Sequence, residues 1–170
     1  GSPLVSVLIG AREAEGTIRE CLGSLRPEIE AEFAGGAPAE VIVAAPAGDP
    51  VCGVVGREFG WARVVPVAGR PNLAELRGAA LAASSGAIVA FTDAHCTVER
   101  GWIAATRRAL EQADVAAGAV RNGARPTAAN WAAFLFDYGA FLPPIAGGPS
   151  ETLAGNNIAY RGDLLGNRLP

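Results

Sequence analysis

Three short apolar runs constrain the fold of this chain more than any other feature. They are LVSVLI (4–9), AEVIVAA (39–45) and AIVAF (87–91). Each is dominated by small and β-branched apolar residues and is only five to seven residues long, which predicts strands buried on both faces. Segments of helical period lie between them. Ile18, Leu22 and Leu25 recur at helical spacing after Gly16, with Pro27 expected to stop that helix. A short helix is expected near Val51–Phe59, and the stretch 62–67 reads as a strand weakened by Pro66. Asn72 is placed to cap a helix carrying Leu73, Leu76, Ala80 and Leu81 on one face. A further helix over 101–113, with Trp102, Ile103, Thr106, Ala109 and Leu110 near one side, precedes a strand over 115–120. Such alternation predicts an α/β domain with a mostly parallel sheet covered on both faces.

The rhythm changes after residue 121. Trp131, Phe134, Leu135, Tyr138, Phe141 and Leu142 form one helical stripe. A core-packing face is the expectation there, with an acceptor platform or a membrane-surface contact as alternatives. The stretch 143–151 reads as a loop, and NNIAYRGDLL (156–165) as a strand followed by a turn of helix.

The chain has 170 residues, enough for one domain. It carries a net charge of −3 and no lysine, all 14 basic residues being arginine. No basic stripe is present to meet a phosphate backbone, so nucleic acid is not an expected partner. No apolar run reaches the roughly 18 to 20 residues that span a bilayer. Gly1, Ser2 and Pro3 read as a cloning scar. Cys21, Cys52 and Cys96 lack C-x-x-C spacing and are expected as free thiols of a reducing compartment, hence a cytoplasmic location. Cys96 is expected as a small buried hydrophobe, with a soft-ligand role as the alternative.

The run 87–91 leads straight into Asp93 and His95, the single histidine. Ligands of open α/β sheets gather beyond the carboxyl ends of the strands. Residues two apart in extended chain point the same way, so both side chains are expected on one side of the strand end. A carboxylate oxygen with an imidazole nitrogen suits a borderline divalent ion such as Mn²⁺ better than Ca²⁺. A third protein ligand, water or substrate phosphate oxygens would complete the coordination. A turn or cap role for Asp93 and an ordinary loop histidine are the alternatives.

VSVLIGAREAEGTIRECLGSL, EVIVAAPAGDP, GRPNLAELRGAALAASSGAIVAFTDAHCTVERGWI and LAGNNIAYRGDLL, in that order, resemble a family 2 nucleotide-sugar glycosyltransferase. The resemblance implies the GT-A fold, a Rossmann-like three-layer sandwich. It implies inverting transfer of a sugar from a nucleoside-diphosphate sugar to an acceptor hydroxyl, with a divalent metal, Mn²⁺ or Mg²⁺. Asp93-x-His95 is similar to the Asp-x-His motif of the polypeptide N-acetylgalactosaminyltransferases, implying that both residues bind that metal. Ala11, Glu13, Arg77, Asp93 and Ala94 are implied on the donor side, and Gly155, Asn156 and Asn157 on the acceptor side. Glu13 as a helix-start carboxylate, Arg77 as a surface arginine and the Gly-Asn stretch as a plain turn are the competing readings. Ala45 and Pro46 stand where the family usually has two aspartates, so the nucleotide base is not specified.

The family's general base lies downstream of the Asn-Asn stretch. None of Asp137, Glu151 and Asp163 matches it, so it is expected beyond Pro170. Residues 4–170 are thus expected to be a GT-A domain truncated at its C-terminus and inactive alone. Peripheral contact with the inner membrane face is a further expectation. The rival classes are a nucleotide-sugar-binding domain without catalysis and a nucleotidyltransferase. The turn GAREAEG, with one arginine and two acids, is a poor phosphate loop for the latter. No G-x-G-x-x-G follows the first strand, which disfavours a dinucleotide-binding domain.

Overall fold

The computed structural model describes residues 4–165. The expectations for residues 1–3 and for the stretch 167–170 lie outside the described residues. The strands are β1 (Val5–Gly10), β2 (Ala39–Pro46), β3 (Arg63–Val67), β4 (Ile88–Asp93), β5 (Val115–Ala117) and β6 (Asn157–Arg161). The helices are α1 (Ile18–Ala34), α2 (Pro50–Glu58), α3 (Leu73–Ala82), α4 (Trp102–Leu110) and α5 (Ala128–Tyr138). One sheet runs in the order β3-β2-β1-β4-β6-β5. β1 pairs in parallel with β2 and β4, and β2 with β3. β6 is antiparallel to both neighbours.

Side-chain alternation along β1 divides the core. Val5, Val7 and Ile9 join Ile18, Leu22, Val54 and Ile103 in a cluster that seats α1, α2 and α4 on one face. Leu8 points the other way and meets Ile42, Leu76, Ala80 and Val89 beneath α3. The two-sided burial expected of the apolar runs is thus present, and the fold is a mixed α/β sandwich. Pro66 sits on β3, the edge strand, where a missing N–H costs no ladder bond on the open side.

Two sequence expectations are corrected. Pro27 does not end the first helix, because α1 runs on to Ala34 with the proline inside it. An internal proline costs about 3 kcal/mol or more. Tertiary bonds beyond it hold the second half in place. The buried Glu28 carboxylate accepts from the backbone N–H groups of Gly101 at 2.8 Å and Ile103 at 3.1 Å. Glu32 accepts from Arg107 Nε at 2.7 Å. The aromatic stripe of α5 is not a core face, since no residue of that helix is buried and Phe136 is 91% exposed. Its rings pack on one another instead: Trp131 on Phe134 at 5.9 Å and Phe134 on Tyr138 at 6.0 Å between centroids.

The edge opposite the strand ends is tied by Glu40. Its Oε1 accepts from Ser6 Oγ at 2.5 Å and from the backbone N–H and hydroxyl of Ser85, both at 3.0 Å. Burial raises its pKa, but those hydrogen bonds and Arg63 outweigh burial and leave it below the usual carboxylate range. A depressed folded pKa stabilises above the unfolded value of about 4.3 and loses that contribution as pH falls through the folded value. Glu40→Ala is expected to cost about 1–2 kcal/mol at pH 7 in urea titration, with the difference from wild type shrinking below about pH 4.

Candidate functional site

β1 and β4 end side by side, with Gly10 in register with Asp93. α3 starts over that pair. Asn72 Oδ1 accepts from the Glu75 N–H at 3.0 Å while Glu75 Oε2 accepts from the Asn72 N–H at 2.7 Å. This reciprocal cap fixes the first turn, and Arg77 follows within the next. Gly10 lets the helix lie directly on the strand end: a Cβ there would sit 2.8 Å from Leu73 Cδ1 and 3.4 Å from Arg77 Cγ. Gly10→Ala is expected to lift the start of α3 and cost about 1–3 kcal/mol in denaturant titration.

Arg77 Nη2 donates to Asp93 Oδ1 at 2.6 Å, with only 25% and 19% of the two side chains exposed. Arg77 Nε is buried with no partner, and the guanidinium lies 5.9 Å over the Phe91 ring. That N–H is thus an unsatisfied donor beside Asp93 among the described residues. Asp93 uses one carboxylate oxygen on Arg77, leaving Oδ2 without a partner among the described residues.

The extended geometry stops at Asp93. A turn closes there, with the Cys96 N–H on the Asp93 carbonyl at 2.9 Å, and Ala94 tucks into the core. His95 is exposed and shares a hydrogen bond with Thr17 Oγ1 at 3.0 Å through Nδ1. Period-two geometry therefore does not govern the pair: Asp93 is bonded to α3 and His95 to the residue that starts α1. No cluster of three or more His, Cys, Asp or Glu side chains suited to a metal exists among the described residues. A divalent ion there would have at most two protein ligands, the Asp93 carboxylate and the exposed His95 imidazole, with the rest of the coordination left to ligand oxygens and water.

Cys21 and Cys96 flank this turn. Cys21 donates to the Asp93 carbonyl at 3.5 Å, and burial, aided by Cys96 and Asp93, pushes its thiol up to about 12. Burial and then Asp93 also raise Cys96, despite a hydrogen bond from Asn156. Both stay protonated thiols at neutral pH and act as packing groups.

On the β2 side Ala45 is fully buried. The nearby carboxylate is Asp49, which the sequence reading passed over. Its Oδ1 caps α2 by accepting from the Val51 N–H at 2.9 Å, and its Oδ2 accepts from the Glu13 N–H at 3.1 Å. Asp followed by Pro50 at the first helical position was the available signal. Glu13, at φ 54, is the one non-glycine residue with positive φ among the described residues, and Asp49 holds it there. Ala11 is buried, its N–H donating to the Ala44 carbonyl at 2.8 Å.

On the β6 side the two asparagines differ. Asn157 accepts from Trp102 Nε1 at 2.9 Å and donates to the Ala119 carbonyl at 3.0 Å, so both ends of its amide are engaged. This side chain also requires glycine just after β5: a Cβ on Gly118 would lie 2.5 Å from Asn157 Nδ2. Asn156 donates to Cys96 Sγ at 3.5 Å, but its buried Oδ1 has no partner. Gly155 is exposed beside Arg77, whose Nη1 would be 3.8 Å from a Cβ there. Asn156 and Asn157 line a cavity of about 590 Å³ with Thr92, His95, Trp102 and the Pro143–Ile145 loop. Asp137, Glu151 and Asp163 are exposed and do not line it.

Tyr138 is the unexpected member. Burial, then Asp93 and Cys96, push its phenol up while Arg77 opposes. α5 thus brings a phenol within electrostatic reach of the Asp93–Arg77 pair, from a stripe that the sequence assigned to packing.

No family model and no curated protein matches this sequence. Solved structures do match its fold. A mannosyltransferase from Pyrobaculum calidifontis, solved with GDP-Man and Mn²⁺, matches with a TM-score of 0.67 at 20% identity over 97% of this chain. The chain has the GT-A glycosyltransferase fold. TarS of S. aureus matches with a TM-score of 0.62 at 17% identity over 95% of the chain. Glucosyl-3-phosphoglycerate synthase of M. tuberculosis, in complex with phosphoglyceric acid, matches at 0.63 and 22% over 96%. The chain spans about half the length of these proteins, covering 46%, 48% and 58% of them. The sandwich and the mostly parallel sheet expected from the sequence are therefore those of GT-A enzymes. No helix among the described residues is long and apolar enough to cross a membrane.

Proposed function

We propose that this chain is a GT-A domain of a family 2 glycosyltransferase that binds a nucleoside-diphosphate sugar and transfers the sugar, with inversion, to an acceptor hydroxyl. The observation that carries this reading is the Asp93–Arg77 pair at the carboxyl ends of β1 and β4, with an unused N–H on one partner and a free oxygen on the other. It belongs to a fold whose solved relatives were obtained with GDP-Man and Mn²⁺, with UDP-glucose and Mn²⁺, and with UDP-GlcNAc.

The donor lies along Ala11, Glu13, Arg77, Asp93 and Ala94. Ala11 and Ala94 keep the strand ends free of bulk. Arg77 offers Nε to the diphosphate, a charge-assisted contact in a half-buried place. Asp93 and His95 would hold Mn²⁺ or Mg²⁺, which when bound supplies Lewis-acid stabilisation of charge on the departing diphosphate. Gly155, Asn156 and Asn157 face the acceptor: Asn156 receives a hydroxyl, and Asn157 holds Trp102 and the segment just after β5 in place. A second reading, donor binding without transfer, is favoured by one observation. The carboxylate that lines the cavity is Glu99, whose side chain is 81% exposed and paired with Arg121.

Calorimetric titration of GDP and UDP with and without Mn²⁺ tests donor binding. Metal-enhanced affinity supports the reading, and equal affinity with and without metal overturns the site. Hydrolysis or transfer from GDP-mannose, UDP-glucose and UDP-GlcNAc then separates the enzyme from the binding domain. The anomeric configuration of the product, read by NMR, tests inversion.

A further inference from the structure

The cavity beside Asn156 shows what kind of acceptor it suits, and this inference rests on the glycosyl-transfer reading above. Its volume, about 590 Å³, is within the range of small-molecule sites. Asn156 lines the cavity and is 7% exposed, and its Oδ1, an acceptor-only atom, is buried without a partner among the described residues. A buried acceptor without a donor is costly, and a ligand O–H relieves that cost.

Charge is confined to the mouth. Glu99 and Arg121 pair at 3.1 Å with side chains 81% and 67% exposed, and His95 and Arg100 are exposed. The start of α4 lines the cavity and would ordinarily attract an anion to its free N–H groups. Here Glu28 has already taken the N–H groups of Gly101 and Ile103, which places a carboxylate where a phosphate would bind. A charged group carried to the floor would be desolvated with no counter-ion. The apolar part of the lining comes from Val98, Val120, Pro143, Pro144 and Trp102. That ring is fixed by its Nε1–H bond to Asn157 Oδ1 at 2.9 Å.

We propose that this cavity takes an uncharged pyranoside as acceptor, one apolar face of the sugar on Trp102 and one hydroxyl donating to Asn156 Oδ1. A phosphorylated acceptor is disfavoured because Glu28 neutralises the helix end that would receive the phosphate.

The test uses the whole chain and a panel of probes read by saturation-transfer NMR and tryptophan fluorescence. The probes are the methyl α-glycosides of glucose, mannose and galactose, with glucose 6-phosphate and cyclohexanol as comparators. At least one glycoside is expected to bind 10-fold or more tightly than either comparator. Asn156→Leu, which removes the acceptor atom, is expected to weaken it 10-fold or more. Ala105→Trp, at an exposed position on the cavity wall, is expected to abolish binding by filling the space and provides a second variant should the first not fold. The proposal is overturned if no glycoside binds, if glucose 6-phosphate or cyclohexanol binds as tightly, or if either folded variant keeps wild-type affinity. GDP and UDP titrations of the unmodified protein run in parallel. Glycoside binding without nucleotide binding would remove the donor reading and leave the cavity as a saccharide site; nucleotide binding without glycoside binding would do the reverse.

Discussion

Asp93→Asn will erase the gain in nucleoside diphosphate affinity that Mn²⁺ confers, a loss of about 100-fold or about 2.7 kcal/mol. The substitution keeps the shape of the side chain and removes its charge. It also removes the ion pair with Arg77, which is 2.6 Å long and mostly shielded from water. His95→Ala should remove the same metal-dependent gain while leaving metal-free affinity near wild type, since its ring is exposed and bonded to Thr17. Arg77→Met should act with two opposite signs. Without its guanidinium, Asp93 is an unpaired carboxylate in a half-buried place, so Mn²⁺ alone binds more tightly. The diphosphate loses its Arg77 partner, so nucleotide binds more weakly. Loss of folding cannot produce both signs at once, and metal and nucleotide titrations on the same sample read them separately. Weaker binding of both ligands would show that Arg77 merely holds the strand end together.

Glu28→Ala is the second large effect, an expected loss of about 3 kcal/mol in denaturant titration. The carboxylate is 6% exposed and satisfies two N–H groups at the start of α4. Hydrogen bonds to a charged group are worth about 1.5–3 kcal/mol each, and the orphaned donors would lie against the core. The release of a buried charge offsets part of that loss. The same bonds hold α1 in register past Pro27, so the variant should also lose helix content. A circular dichroism spectrum at 222 nm unchanged from wild type would show that α1 carries its proline without this tie.

The strands were legible because their runs are short, mostly apolar and β-branched, with Gly10 and Pro46 closing the first two. The start of α3 was legible because its cap is local: Asn72 and Glu75 serve each other across three residues. Asp93 and Arg77 were placed one at a time, a carboxylate at a strand end and an arginine on a helix, without their pairing. Asp93 and Arg77 are 16 residues apart, and Asn156 and Cys96 are 60 apart. Partners that distant meet only after the sheet has formed. The α5 stripe reads as a core face in the sequence because an apolar stripe looks the same whether or not another layer covers it.

By itself, the sequence determined the alternation of strand and helix and the two-sided burial of β1, β2 and β4. These depend on periodicity and caps, which act within a few residues. Tertiary structure alone decided that α1 passes its proline, that β6 enters antiparallel between β4 and β5, and that α5 stays outside the core. It also decided that one asparagine of an adjacent pair is fully engaged while the other keeps a free oxygen. The reason is common to all four: each is set by a contact between residues far apart in the chain, and such contacts leave no period in the sequence.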